Sequence, residues 1–164
     1  MSQSVFDVIV IGAGPGGYVA AIRCAQLGLK TAIIEREHMG GICLNWGCIP
    51  TKAMLRSAEV FHLMHRANEF GLNAEKISFD LDAVIKRSRG ISKQLNQGVT
   101  HLLKKNKVKS YIGDATILEK GKVKVEKNDN SEAVSCSNIM IASGARAREL
   151  PGLESDGEIV WTYK

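Results

Sequence analysis

Cys43 and Cys48 stand with four residues between them in the stretch GGICLNWGCIPTK, Gly40 to Lys52, which reads as a loop running into a helix. Two thiols at this spacing could cycle between dithiol and disulfide, lie inert, or supply half of a zinc site. A disulfide wants its Cα atoms about 4.4 to 6.8 Å apart. On a regular helix, residues i and i+5 lie roughly 8.6 Å apart. Pairing would therefore require the backbone to leave the helical path, and Asn45 and Gly47 tolerate such a departure. Pro50 suits a first helical turn. Cys48 then falls near a helix N-terminus, where the dipole and the charge of Lys52 favour a thiolate. Those are the conditions of a reactive cysteine. Zinc wants a second close pair, or cysteines with histidines at fixed spacing. His38 is near but no second pair exists, so no metal is expected, and inert thiols remain the plainer alternative.

The element that would position this pair lies ahead of it. Val5 to Ile11 is an apolar, β-branched run that reads as a buried parallel strand. It ends in Gly12-Ala-Gly14-Pro-Gly16-Gly17, which holds G-x-G-x-x-G at 12, 14 and 17. A helix is predicted from about Gly16 to Leu27 with Gly28 at its end. A second strand follows over Lys30 to Ile34, and Glu35 stands at its tip. Strand, glycine turn, helix, strand and acid in this order make a dinucleotide site. The first glycine permits the turn, the second lets a pyrophosphate approach the backbone, and the third lets helix and strand pack closely. The helix N-terminus holds the pyrophosphate. Glu35 is placed to accept hydrogen bonds from ribose hydroxyls, and its charge disfavours a 2′-phosphate. The cysteines come only eight residues after Glu35. A flavin is the cofactor whose ring exchanges electrons with a dithiol, so FAD suits this arrangement better than NAD.

Totals bound the rest. A chain of 164 residues suits one domain with a real core. Four cysteines do not make a disulfide scaffold, and Cys24 and Cys136 are expected to be buried small side chains in a reducing compartment. The first residues carry no basic region ahead of the apolar run, which argues against a signal peptide. Val8 to Ile22 is too short and too rich in glycine to span a membrane. The net charge of +5 is concentrated between Ala83 and Gly113, which has eight Lys or Arg and no acid. Aromatic residues are not interleaved there. Leu81, Val84, Ile85, Ile91, Leu95, Val99 and Leu102 recur at helical spacing, so the basic residues read as the wet face of an amphipathic helix rather than a nucleic-acid patch.

Beyond the cysteines, a helix is predicted over 51–68, with Met54, Ala58, Phe61 and Met64 on one stripe and Gly71 at its end. His62 and His65 read as surface histidines. A second helix is predicted over 81–105, with Asn106 as a left-handed stop. Strands follow at 107–112, 115–119, 122–127 and 132–136, the last three as an antiparallel meander with turns at 120–121 and 128–131. Ile139 to Ala142 reads as another buried strand, and Ser143-Gly144 as a second backbone approach to the dinucleotide. The expected fold class is α/β: a Rossmann-like FAD-binding domain with a parallel sheet, flanking helices and a small antiparallel meander. No second GxGxxG occurs.

These residues resemble the N-terminal FAD-binding part of the pyridine nucleotide-disulphide oxidoreductases. The resemblance runs over the whole chain: IGAGPGG at 11–17, Glu35, the cysteine stretch, Gly113-Asp-Ala115 and ASGARARELPG at 142–152. Leu44-Asn45 and Ile49-Pro50 are most similar to the dihydrolipoamide dehydrogenase form. The resemblance implies that Cys43 and Cys48 are a redox-active disulfide, with Cys43 exchanging with lipoyl thiols and Cys48 next to the flavin. It implies that Gly12, Gly14 and Gly17 hold the FAD pyrophosphate, with Pro15 and Gly16 beside them, and that Glu35 holds the adenosine ribose, with Arg36 adjoining. Gly41 and Lys52 would lie near the flavin end, Gly113, Asp114 and Ala115 near the adenine, and Ser143 and Gly144 along the cofactor. Thr51, Ser143, Ala147 and Trp46 depart from the usual Ser, Thr, Pro and Val. None of these removes a group the chemistry needs.

Family enzymes are much longer, with an NAD domain and an interface domain that donates a His–Glu base across a homodimer. The chain is therefore expected to be an FAD-binding fragment spanning 1–164, inactive alone. In the full-length protein, electrons would pass from dihydrolipoamide through the disulfide and FAD to NAD⁺. The implied partner is the lipoyl-bearing acyltransferase of 2-oxoacid dehydrogenase complexes. The implied compartment is the cytoplasm, or the mitochondrial matrix in a eukaryote, with no membrane or nucleic acid involved. A mercuric or other disulfide reductase, or a standalone flavin-binding thiol module, is the alternative.

Overall fold

The computed structural model describes residues 5–164. Their centre is β1 (Val5–Ile11), flanked by β2 (Thr31–Glu35) and β6 (Asn130–Ile141), both parallel to it. Helix α1 (Pro15–Gln26) makes the crossover between β1 and β2, and β3 (Lys109–Ile112) extends the parallel array from β2. Strands β4 (Asp114–Glu119) and β5 (Lys122–Lys127) add an antiparallel meander to β6, giving the order β3-β2-β1-β6-β5-β4. β3 and β4 stand at opposite ends of that order yet are joined by Gly113 alone, whose N–H donates to the Glu35 carbonyl at 2.9 Å. The sheet must therefore curl back on itself. This is the α/β fold expected, with the meander continuous with the parallel sheet.

Alternation along β1 and β2 sorts the core into two faces. Val8, Val10 and Ile33 lie in one apolar cluster with Ala21 of α1, Leu44, and Val99 and Leu103 of a long helix. Ile9, Ala32 and Ile34 lie in the other, against Val123, Val125, Val134 and Cys136 of the meander. Three further helices follow β2: α2 (Gly41–Asn45), α3 (Cys48–His65) and α4 (Leu81–Lys105), with a 3₁₀ turn over Ala67–Phe70.

Several expectations need correction. The strands expected at 132–136 and 139–142 are one strand, β6. Its first half pairs with β5 and its second with β1. The second half is not deeply buried: Ile141 is 68% exposed. The left-handed residue after α4 is Lys107 (φ 60°), not Asn106 (φ −87°), whose side chain instead donates to the Leu102 carbonyl at 2.8 Å. The apolar stripe on α4 is only partly covered. Val99 and Leu103 are buried beside Ser88 and Ser92, while Leu81, Ile85, Leu95 and Leu102 face outward. On α3, Pro50 and Ala53 are the buried residues, and Met54 and Met64 are exposed. Cys136 is buried as expected, and Cys24 is half-buried.

Candidate functional site

The glycine turn sits where β1 ends and α1 begins. Gly14 is the N-cap of α1 and offers no capping side chain, and the first turn holds no acid. Its leading N–H groups thus lack a side-chain acceptor and suit an anion. Gly17 is buried, and a Cβ there would overlap the Gly12 carbonyl, so close strand–helix approach requires glycine. Glu35 at the end of β2 accepts the Ala13 N–H on Oε2 at 2.8 Å and the Glu37 N–H on Oε1 at 2.9 Å. A carboxylate has about four acceptor sites. Glu35 therefore braces the turn and keeps capacity for ribose hydroxyls.

The cysteine stretch is tied to this turn. Gly40 N–H donates to the Ala13 carbonyl at 2.8 Å. Gly41 (φ 58°) passes so close to the turn that a Cβ on it would lie 2.7 Å from Gly14 Cα. Cys43 lies within the short helix α2 rather than in a loop, and Cys48 opens α3. The chain leaves the helical path at Trp46 (φ −138°) and Gly47 (φ −119°, ψ −107°). Asn45 stays helical and works by its side chain, donating to the carbonyls of Met39 at 3.0 Å and Gly41 at 2.8 Å. That break brings the Cα atoms of Cys43 and Cys48 to 4.6 Å, and the two are joined as a disulfide.

Turn and disulfide line one groove of about 570 Å³. Of the predicted site residues, Gly12, Gly14, Pro15, Glu35, Arg36, Gly41, Cys43, Cys48, Ser143 and Gly144 line it. Gly16, Gly17, Lys52, Gly113, Asp114 and Ala115 stand outside its lining. Lys52 is exposed on α3, and Asp114 lies 3.7 Å from Arg36. A ligand with an anionic middle and a ribose at one end could run along this groove and bring its other end to the sulfurs.

Sequence reasoning misses other contributors. Glu37, His38 and Thr162 to Lys164 also line the groove. Lys164 Nζ pairs with Glu37, and this hydrogen bond holds the Glu37 carboxyl below its ordinary range. The same Nζ lies 4.6 Å above the Trp46 ring. By its spacing α4 carries a wet basic face, yet Arg89 donates to the Asn45 carbonyl between the cysteines and Arg87 to the Ala53 carbonyl further along α3. No spacing signal marks such contacts, because their acceptors are main-chain atoms. His62 and His65 are exposed, and among the described residues no cluster of three metal-ligating side chains occurs.

The profile of the pyridine nucleotide-disulphide oxidoreductases matches residues 6–164. The dihydrolipoyl dehydrogenase of Zymomonas mobilis is 54% identical over 159 residues, covering 96% of this chain and 34% of that protein. That of Rhizobium etli is 52% identical over 179 residues, covering 99% and 37%. The chain thus spans about a third of the length of the curated relatives it matches. Among solved structures, the Cu(II) complex of the HOCl-induced flavoprotein disulfide reductase RclA from Escherichia coli superposes with a TM-score of 0.76 at 23% identity, over 92% of this chain and 31% of that one. At that identity the likeness concerns the fold.

Proposed function

The chain belongs to the pyridine nucleotide-disulphide oxidoreductase family, and on that premise we propose that it is the FAD-binding, disulfide-bearing part of a dihydrolipoyl dehydrogenase. One observation carries the reading: an uncapped glycine turn and the Cys43–Cys48 disulfide line the same groove. FAD, when bound, supplies a ring that takes an electron pair from a dithiol and passes it on as hydride. The chain's own residues do the rest. The first-turn N–H groups of α1 hold the pyrophosphate, and Glu35 orients the ribose while bracing the turn. Arg36, Gly41, Ser143 and Gly144 complete the lining of the groove, and Lys52, Gly113, Asp114 and Ala115 stand behind it as supporting residues.

At the disulfide, a substrate thiolate attacks Cys43 and displaces the Cys48 sulfur. A second substrate thiol then closes the substrate's own disulfide. The substrate loses two electrons and two protons, and the Cys43–Cys48 pair gains them. The substrate is assigned as dihydrolipoamide, because relatives carrying that activity in their names are 45–54% identical to this chain. NAD⁺ as final acceptor, a homodimer, the lipoyl-bearing acyltransferase as partner and a cytoplasmic setting follow for the whole protein on the same premise. Among the described residues no helix is long and apolar enough to cross a membrane.

The test is spectroscopic. Chain purified with excess FAD should carry flavin absorbance between about 350 and 550 nm. Anaerobic dihydrolipoamide should then expose two new thiols, both absent in a Cys43→Ser, Cys48→Ser variant. A colourless protein whose disulfide ignores the dithiol would overturn the reading.

A further inference from the structure

Helix α4 meets the cysteine segment and α3 through polar side chains as well as through the apolar cluster that joins Val99 and Leu103 to Met39 and Leu44. Arg87 Nη1 donates to the Ala53 carbonyl at 2.8 Å, Ser88 Oγ to Pro50 at 3.2 Å and Arg89 Nη1 to Asn45 at 2.9 Å. Asn96 Nδ2 donates to the Met39 carbonyl and lies 3.2 Å from Asn45 Oδ1. Met39 precedes Cys43 by four residues, and Asn45 lies between the two cysteines. Asn96 and Arg89 therefore clamp the backbone on both sides of Cys43. They do so from a helix that is otherwise remote in sequence.

We propose that Asn96 and Arg89 are positioning residues that set the thiol–disulfide equilibrium of Cys43 and Cys48. The proposal rests on the pair being redox-active, as the proposed function requires. Reduction breaks the sulfur–sulfur bond and adds two electrons and two protons, leaving two thiols with no covalent tie. The acceptors of Asn96 and Arg89 are carbonyl oxygens, whose hydrogen bonds do not depend on the sulfur oxidation state. These bonds persist after reduction and keep the irregular path through Trp46 and Gly47 in place. Two thiols held in register re-close more readily than two thiols on a relaxed segment, because the ordering entropy has already been lost. The clamp thus favours the disulfide. Its removal shifts the equilibrium toward the dithiol.

Arg87 supplies the control. Its acceptors, Ala53 O and Ser57 Oγ (3.4 Å), lie on the body of α3 beyond the cysteines. Arg87→Met removes a comparable polar contact made by the same helix α4, to α3 instead of to α2 and Met39, without touching the segment around the sulfurs.

The experiment equilibrates the full 164-residue chain anaerobically with graded ratios of reduced to oxidised dithiothreitol and counts free thiols. Asn96→Leu and Arg89→Met should each move the constant toward the dithiol by about tenfold, which is about 30 mV for a two-electron couple. Arg87→Met should lower thermal stability and leave the constant unchanged. Should Asn96→Leu fail to fold, Arg89→Met, which keeps the aliphatic stem, decides the matter alone. Wild-type constants in both clamp variants, or an equal shift in Arg87→Met, would overturn the proposal while leaving the redox reading intact. A wild-type pair that no dithiothreitol ratio opens would overturn both.

Discussion

Burial separates the two cysteines that stand outside the disulfide. Cys136 lies on β6 in the apolar cluster against the meander and is 8% exposed, and burial pushes its thiol above the ordinary range. Cys24, on α1, is half-buried. The folded state holds the Cys136 proton more tightly than the unfolded chain does. Its contribution to stability is therefore complete below the ordinary thiol pKa of about 8.5 and is lost as pH rises through the higher folded value. In native protein at neutral pH, a thiol reagent should modify Cys24 first and leave Cys136 untouched until denaturant is added. Mass mapping of the labelled peptides checks the order, and early modification of Cys136 would contradict its burial under the meander. Both residues could be set aside from the redox site by their sequence context alone. Neither falls in a segment with a break of helix or strand, whereas the Asn45-Trp46-Gly47 stretch announces one.

At the scale of the element, α4 shows where sequence patterning stops informing. Its bounds were legible from apolar spacing that holds through Leu102, and the structure adds that Asp80 caps the first turn by accepting the Ala83 N–H. Its inner face was not. Ser88 and Ser92 are buried within the apolar stripe, and no spacing pattern says whether a hydroxyl there finds a partner. Their hydroxyls differ: Ser88 donates to the Pro50 carbonyl, while Ser92 Oγ is buried with no partner among the described residues. The two make an internal control for what a buried hydroxyl is worth. Ser88→Ala removes a second donor from the Pro50 carbonyl, which keeps its place in the α3 ladder, and should cost about 1 kcal/mol in denaturant unfolding. Ser92→Ala removes an unsatisfied group and should be neutral or stabilising by up to about 1 kcal/mol. Equal losses at both sites would mean that packing, and not hydrogen bonding, holds α4 to α3.

The whole molecule is organised by where the chain crosses itself. The β1–turn–α1–β2 unit was readable because glycine spacing, strand composition and Glu35 all point to one geometry. The curl of the sheet was not, since it depends on β3 and β4 meeting at Gly113 and on β6 serving two neighbours at once. Nor was the return of residues 162–164 to the groove, which no local pattern encodes. That return is held by Lys164, which pairs with Glu37 and sits over Trp46. Both partners of the ion pair are about half exposed, so the contact is weak and screened by salt. Glu37 has its folded pKa lowered, first by the hydrogen bond from Lys164. Its contribution is present above the ordinary carboxylate range and is lost as pH falls through the lowered value. Acidification should therefore lift Lys164 from Trp46. In a Trp161→Phe background, which leaves Trp46 as the sole indole, emission should shift as pH drops below about 4. Glu37→Gln should show the shifted emission already at neutral pH, and added salt should move wild type the same way. Emission of Glu37→Gln that matches wild type at neutral pH and low salt would show that Glu37 does not hold the terminal stretch over the groove.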